Sequence, residues 1–141
     1  MTGFTGAIHG TPKASFVAGA DITVDYVAVK RTADVSGNVI ETAAASTDEV
    51  VGLTQGQSGR GNTSVGYLTG DHVFVVTDGH ARATAGGTIA LSDKLTSDAN
   101  GKLVATTTAT DLVCAIATST GVADDIVEVK VITPVLYSAF A

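Results

Sequence analysis

The chain has 141 residues, 8 Lys+Arg against 14 Asp+Glu, a formal net charge of −6 and one cysteine. That length suits a single domain, and area scaling gives roughly 6,700 Å² of surface folded against roughly 20,400 Å² unfolded, enough change to bury a core. The acidic balance removes the electrostatic grip that nucleic acid or anionic lipid demands, so neither is expected as a main partner.

Only 16% of the residues are charged while 45% are hydrophobic, against about 25% charged in ordinary soluble domains. Small apolar and hydroxyl residues must therefore make much of the surface, which suits packing against other surfaces. No apolar run approaches the roughly 20 residues of a membrane span, and Met1–Gly10 lacks the basic and apolar segments of an export signal. Cys114 has no partner for an internal disulfide and lies between Val113 and Ala115. It reads as a buried thiol of a chain made in a reducing cytoplasm.

In chain order, Met1–Gly19 mixes Gly3, Gly6, Gly10, Pro12 and Gly19 with isolated Phe4, Ile8 and Phe16. Glycine and proline oppose regular structure, so residues 1–19 are expected to form an extended arm that lies against something, or else a frayed terminus. The three apolar side chains favour a partner for it.

From residue 20 to 134 a β domain is expected, because Val, Ile and Thr recur in short runs punctuated by Gly, Asn and Asp. The expected strands are Ile22–Lys30, Asn38–Thr42, Glu49–Thr54, Ser64–Thr69, His72–Thr77, His80–Thr84, Lys102–Thr107, Asp111–Thr118 and Asp125–Thr133. In the last, Val127, Val129 and Val131 share one face and Glu128 and Lys130 the other, the pattern of a half-buried strand. His72–Thr77 is apolar on both faces, as a central strand would be. Ala43–Ala45 and Thr106–Ala109 read as connectors, since so few residues cannot nucleate a helix. So many strands at this spacing predict an all-β fold, a small sandwich or barrel.

An internal echo sets Thr32-x-Asp34-x-x-Gly37-x-Val39-Ile40 beside Thr96-x-Asp98-x-x-Gly101-x-Leu103-Val104. Val50-Val51-Gly52-Leu53 then answers Val113-Cys114-Ala115-Ile116. Each unit reads strand, turn, strand, connector, strand, with Gly37 and Gly101 suited to positive φ. The tail, residues 135–141, carries Val135, Leu136, Tyr137 and Phe140, an apolar end without an obvious partner in a monomer.

Chemical motifs are weak. Asp93, Asp98, Asn100 and Gly101 have part of a calcium loop's spacing, but the closing acidic residue is missing and a hairpin turn explains them. Gln55–Asn62 is glycine-rich without Gly-Lys-Ser/Thr or a following helix, so it reads as a surface loop rather than a phosphate cradle. Arg60, its one charge, is a candidate subunit contact. His9, His72 and His80 lack the further ligands of a metal site. No Gly-x-Ser-x-Gly elbow is present, and no nucleophile, base and oxyanion donor assemble. No enzyme activity, metal or cofactor is expected.

The wording of residues 20–134 resembles the capsid decoration, or cement, proteins of tailed bacteriophages. The resemblance rests on Tyr26-Val27-Ala28-Val29-Lys30, Val51-Gly52-Leu53, Ala85-Gly86-Gly87-Thr88-Ile89, the stretch Asp93-Lys94-Leu95-Thr96-Ser97-Asp98-Ala99-Asn100-Gly101-Lys102-Leu103-Val104, and Ala115-Ile116-Ala117 before Asp124-Asp125. Ser92 and Ala123 stand where many such proteins have glycine, so those turns are expected to differ. A barrel or a β-tulip-like sandwich satisfies the strand alternation, and the resemblance implies a structural virion protein on the outer surface of the expanded head, made in the host cytoplasm. Its implied partners are the major capsid protein and copies of itself, usually as a homotrimer. Phe4, Ile8, Phe16, Arg60, Leu136, Tyr137 and Phe140 are the candidate contacts, the arm adding a strand to an exposed sheet edge. The alternative is a carbohydrate-binding or adhesive module of a phage fibre or tail. Its support is thin, since sugar sites favour exposed aromatic rings and the chain has no Trp, 3 Tyr and 4 Phe.

Overall fold

The structure, a computed structural model, describes residues 16–34, 37–55 and 67–140. It is all-β. Strands β1 (Phe16–Ala18), β2 (Ala28–Arg31), β3 (Val39–Thr42), β4 (Val50–Thr54), β5 (His72–Val73) and β6 (Val75–Val76) form one sheet in the order β5-β1-β3-β2-β4-β6. Strands β7 (Gly79–Thr84), β8 (Lys94–Ser97), β9 (Leu103–Ala105), β10 (Leu112–Ala117) and β11 (Ile126–Leu136) form a second, in the order β7-β11-β10-β8-β9. A short 3-10 turn, Tyr137–Phe140, follows β11.

A single residue, Phe74, separates β5 from β6, yet these strands pair with β1 and β4 at opposite ends of the first sheet. The sheet therefore curls into a small barrel. Phe16, Ala18, Ile22, Val27, Val29, Ile40, Tyr67, Val73 and Val75 pack together inside it. The outward residues Ala28, Ala43, Val50 and Leu53 pack instead against Leu95, Leu103, Ala115, Val127, Val129 and Val131 of the second sheet. The first sheet thus serves two cores, one on each of its faces.

Several elements depart from the sequence expectation. Residues 72–77 are the element that closes the barrel: Val73 and Val75 point inside, whereas Phe74 is 55% exposed. Phe16 belongs to β1 and is 2% exposed, so it is a core residue rather than an anchor on an extended arm. Ile22–Lys30 is not one strand, because Tyr26 adopts φ 58 and interrupts the extended backbone before β2. Thr84 holds that kink by donating its N–H to the Tyr26 carbonyl (2.8 Å) and its hydroxyl to the Asp25 carbonyl (2.7 Å). Strand β8 was hidden in a stretch that reads as turn residues. Of Ser64–Thr69, the described part pairs only through the bridge of Tyr67 to Ile22.

The two units of the internal echo are real as topology. In each, a hairpin (β2–β3, β8–β9) is followed by a third strand that returns to the far side of the hairpin's first strand (β4 on β2, β10 on β8). Gly37 and Gly101 both take positive φ, 75 and 78, and each donates its N–H to the aspartate three residues earlier. The second turn is docked on the first sheet. The Gly101 carbonyl accepts from Ala28 N–H, and a Cβ at Gly101 would lie 2.5 Å from Thr42 Cγ2.

Most aspartates serve turns, as their placement predicts. In turns 68–71, 90–93 and 122–125 the fourth residue is Asp71, Asp93 or Asp125, whose carboxylate accepts the N–H of the first residue at 2.8–2.9 Å. The third residue has positive φ: Gly70 at 92, Ser92 at 69 and Asp124 at 71. At the third turn the strained position is therefore Asp124, not Ala123. Ser92 is exposed and bears the cost of a left-handed conformation, about 1–2 kcal/mol, against about 0.5–1 kcal/mol of extra backbone entropy for glycine. Ser92→Gly is therefore expected to raise stability by about 0.5–1 kcal/mol, read from the urea midpoint.

Cys114 is buried in β10, and burial pushes its thiol up to about 12 from an ordinary value of 9.0. The unfolded chain releases this proton near the ordinary value and the folded chain does not. The thiol's contribution is therefore fully present below pH 9 and is lost as pH rises toward 12, by up to about 1.4 kcal/mol per pH unit. Urea titrations across that range should show a slope that Cys114→Ala reduces by one proton's worth.

Candidate interaction surface

Strand β11 runs the length of the second sheet and alternates as its sequence predicts: Val127, Val129 and Val131 are buried, Glu128 and Lys130 exposed. It also outruns its expected end, reaching Leu136 through Pro134. Between the pairs Ala115↔Val131 and Val113↔Val135, three residues of β11 face Cys114 alone, and Pro134 sits in this bulge where no ladder donor is needed. Ile132, Thr133 and Pro134 then line an open groove of about 490 Å³ with Phe16, Arg31 and Val50 of the barrel.

On the outer face of the sheet, register sets side chains from four strands in one row. His80 pairs with Lys130, Lys130 with Ile116, and Ile116 with Lys94. Directly paired residues share a face with neighbouring Cβ atoms about 5 Å apart. The next row sets Arg82 beside Glu128. His80, Arg82, Glu128 and Lys130 are exposed, and Ile116 and Lys94 half-buried. The free edge of β7 is partly covered, because the Gln55 carboxamide bonds both sides of the Arg82 peptide, its Nε2 donating to Arg82 O at 2.8 Å and its Oε1 accepting from Arg82 N at 3.1 Å.

The tail folds onto the same sheet. Leu136 is paired with Leu112 at the end of β11 and is 47% exposed. Tyr137 donates its N–H to Asp111 O, is half-buried and stands 6.4 Å from the Phe140 ring. Phe140, 39% exposed, lies under Lys94 Nζ at 5.4 Å, a cation–π distance. The structure thus brings Leu136, Tyr137 and Phe140 together. It places Phe16 in the barrel core, 5.7 Å from the Arg31 guanidinium. Phe4, Ile8 and Arg60 lie outside the described residues. The row of His80, Lys94, Ile116 and Lys130 escaped the sequence reading, because only Lys130 carries a local signal, the alternation of its own strand.

Among the described residues no group of three or more His, Cys, Asp or Glu is placed to hold a metal ion. The structure presents three surface features: the apolar end of β11, the groove beside Phe16, and the rows on the outer sheet face.

No family model and no curated protein matches the sequence. The fold is similar to the solved N base of the head fibre protein gp8.5 of bacteriophage phi29, with a TM-score of 0.54 at 16% identity. The match covers 86% of this chain and 94% of that one. A likeness that takes in nearly all of both chains is one of whole fold rather than of a shared motif.

Proposed function

We propose that the chain is a structural protein of a phage virion that sits on the exterior of the head as a decoration or cement protein and braces the expanded shell against DNA pressure. The observation that carries this reading is the fold likeness, over almost the whole of both chains, to the base of a phage head fibre. The weakly charged surface and the apolar end at Leu136 and Phe140 support it, since such surfaces pack against other proteins. Its partners would be the major capsid protein and sister copies in a trimer, and it would carry no cofactor and catalyse no reaction. Residues 1–15, with Phe4 and Ile8, would add a strand to an edge of the shell protein, and several such contacts per trimer would act with high effective concentration.

A second reading, the base of a fibre anchored on the head, is favoured by the name of the structural neighbour. Copy number separates the two. Gradient-purified particles, with this chain quantified by mass spectrometry against the major shell protein, should give near-parity for a cement. A handful of copies per particle would favour the fibre base, and absence from particles would overturn both.

A further inference from the structure

We propose that Asn100 is a site of spontaneous modification, where its side chain closes onto the Gly101 nitrogen as a succinimide, and that the isoaspartyl product undocks the β8–β9 turn from the first sheet. Asparagine followed by glycine favours this ring closure, because glycine has no Cβ to hinder the approach. The pair occurs once in the chain, at residues 100 and 101. Asn100 is exposed, and its carboxamide makes no hydrogen bond among the described residues. Its backbone N–H donates to Asp98 Oδ1 at 2.8 Å. The turn is thus held through its main chain while the reacting side chain is free to rotate. The attacking group, the Gly101 N–H, meets Asp98 O at 3.3 Å, beyond the usual range of about 2.7–3.2 Å.

The reaction needs water alone. The Gly101 nitrogen gives its proton to solvent and attacks Asn100 Cγ, so that a C–N bond forms. The Cγ–Nδ2 bond breaks, and the Nδ2 group takes a proton from solvent and leaves as ammonia. Both partners belong to one short stretch of chain, which gives them the high effective concentration of an intramolecular reaction. Water then opens the succinimide at either carbonyl. One opening leaves an ordinary aspartyl residue, and the other leaves isoaspartate, whose main chain runs through the side-chain carbon and is one methylene longer. Gly101 has no room for that methylene. Its φ is 78, its carbonyl accepts the Ala28 N–H at 2.8 Å, and a Cβ on it would lie 2.5 Å from Thr42 Cγ2 and 3.0 Å from the Ala28 carbonyl oxygen. Lys102 is anchored beyond it, donating its N–H to Asp98 Oδ1 at 3.0 Å and pairing its ammonium with Asp124 at 2.7 Å. With both ends of the turn held, the lengthened segment must lift away from Ala28.

The test incubates the folded full chain for days in mildly alkaline buffer and follows its tryptic peptides by chromatography and mass spectrometry. Cleavage after Lys94 and Lys102 releases Leu95–Lys102, in which Asn100 is the one carboxamide side chain. This peptide should gain the mass of an amide-to-acid conversion and split into aspartyl and isoaspartyl forms. It should do so about tenfold or more faster than the peptide carrying Asn38, whose neighbour Val39 is β-branched. In the isoaspartyl fraction of the intact chain, the Ala28 amide should exchange its hydrogen about tenfold or more faster than before incubation. Asn100→Asp adds the charge without the methylene and should leave that exchange unchanged. Conversion confined to chain unfolded in urea, or equally fast at Asn38, would overturn the proposal. So would an isoaspartyl product whose Ala28 amide exchanges as before, or an equal acceleration in Asn100→Asp.

Discussion

Phe16→Ala is expected to lower the unfolding free energy by about 3–5 kcal/mol, the usual cost of emptying a buried aromatic site. Phe16 is 2% exposed, pairs with Val73 across β1 and β5, and shares the barrel interior with Ile22, Ile40 and Tyr67. Its loss opens a cavity beside the strand that completes the ring. With total stabilities of about 5–15 kcal/mol for a domain, the variant should be marginal or unfolded at 25 °C. Urea denaturation gives the measure, with Phe140→Ala, at an exposed site, expected to cost under about 1 kcal/mol. Truncation should respect the same boundary. Removal of residues 1–15 should leave a cooperative fold, whereas removal of 1–19 takes away β1 and should not. A Phe16→Ala variant within 1 kcal/mol of the parent would show that β1 contributes little to the barrel.

Gly52→Ala is expected to cost about 3 kcal/mol, at the upper end for an overpacked site. A Cβ there would stand 2.2 Å from the Val76 carbonyl oxygen and 2.7 Å from Val75 Cγ1, both on β6. The oxygen belongs to the backbone that closes the barrel through Leu53↔Val76 and Thr54↔Val75, so it cannot move aside without breaking that pairing. Gly87→Ala is the matched control. Its nearest atom would be Val104 Cγ1 at 3.9 Å, ordinary van der Waals contact, and its effect should stay within about 0.5 kcal/mol. Near-equal midpoints for the two variants would mean that β4 and β6 are loosely joined.

These two sites also mark how far the sequence could be read. Gly52 was visible as part of Val51-Gly52-Leu53, but the reason for a glycine there is the approach of β6 from more than twenty residues away. Phe16 was visible as an apolar residue among glycines, which points equally to an arm seeking a partner and to a first strand. Burial decides for the strand, because the barrel needs β1 between β5 and β3. Among the surface residues, Leu136, Tyr137 and Phe140 were legible as an unpartnered apolar end. Lys94 was not, since β8 is written in residues that equally suit a turn.

What the sequence determined by itself was local. Period-two alternation set the buried face of β11, aspartates followed their turns, and Gly37 and Gly101 took the positive φ their repeated motif requires. These outcomes depend on backbone preferences and on neighbours a few residues away, which any stretch of chain carries with it. Tertiary structure alone decided that Phe74 turns one strand into the two that close the barrel, and that Gly101 is docked between the sheets. It also decided that His80, Lys94, Ile116 and Lys130 stand in one row. Cross-strand neighbours are chosen by pairing between segments distant in the chain, and a shift of one residue in any of those registers would turn the row's side chains to the opposite face.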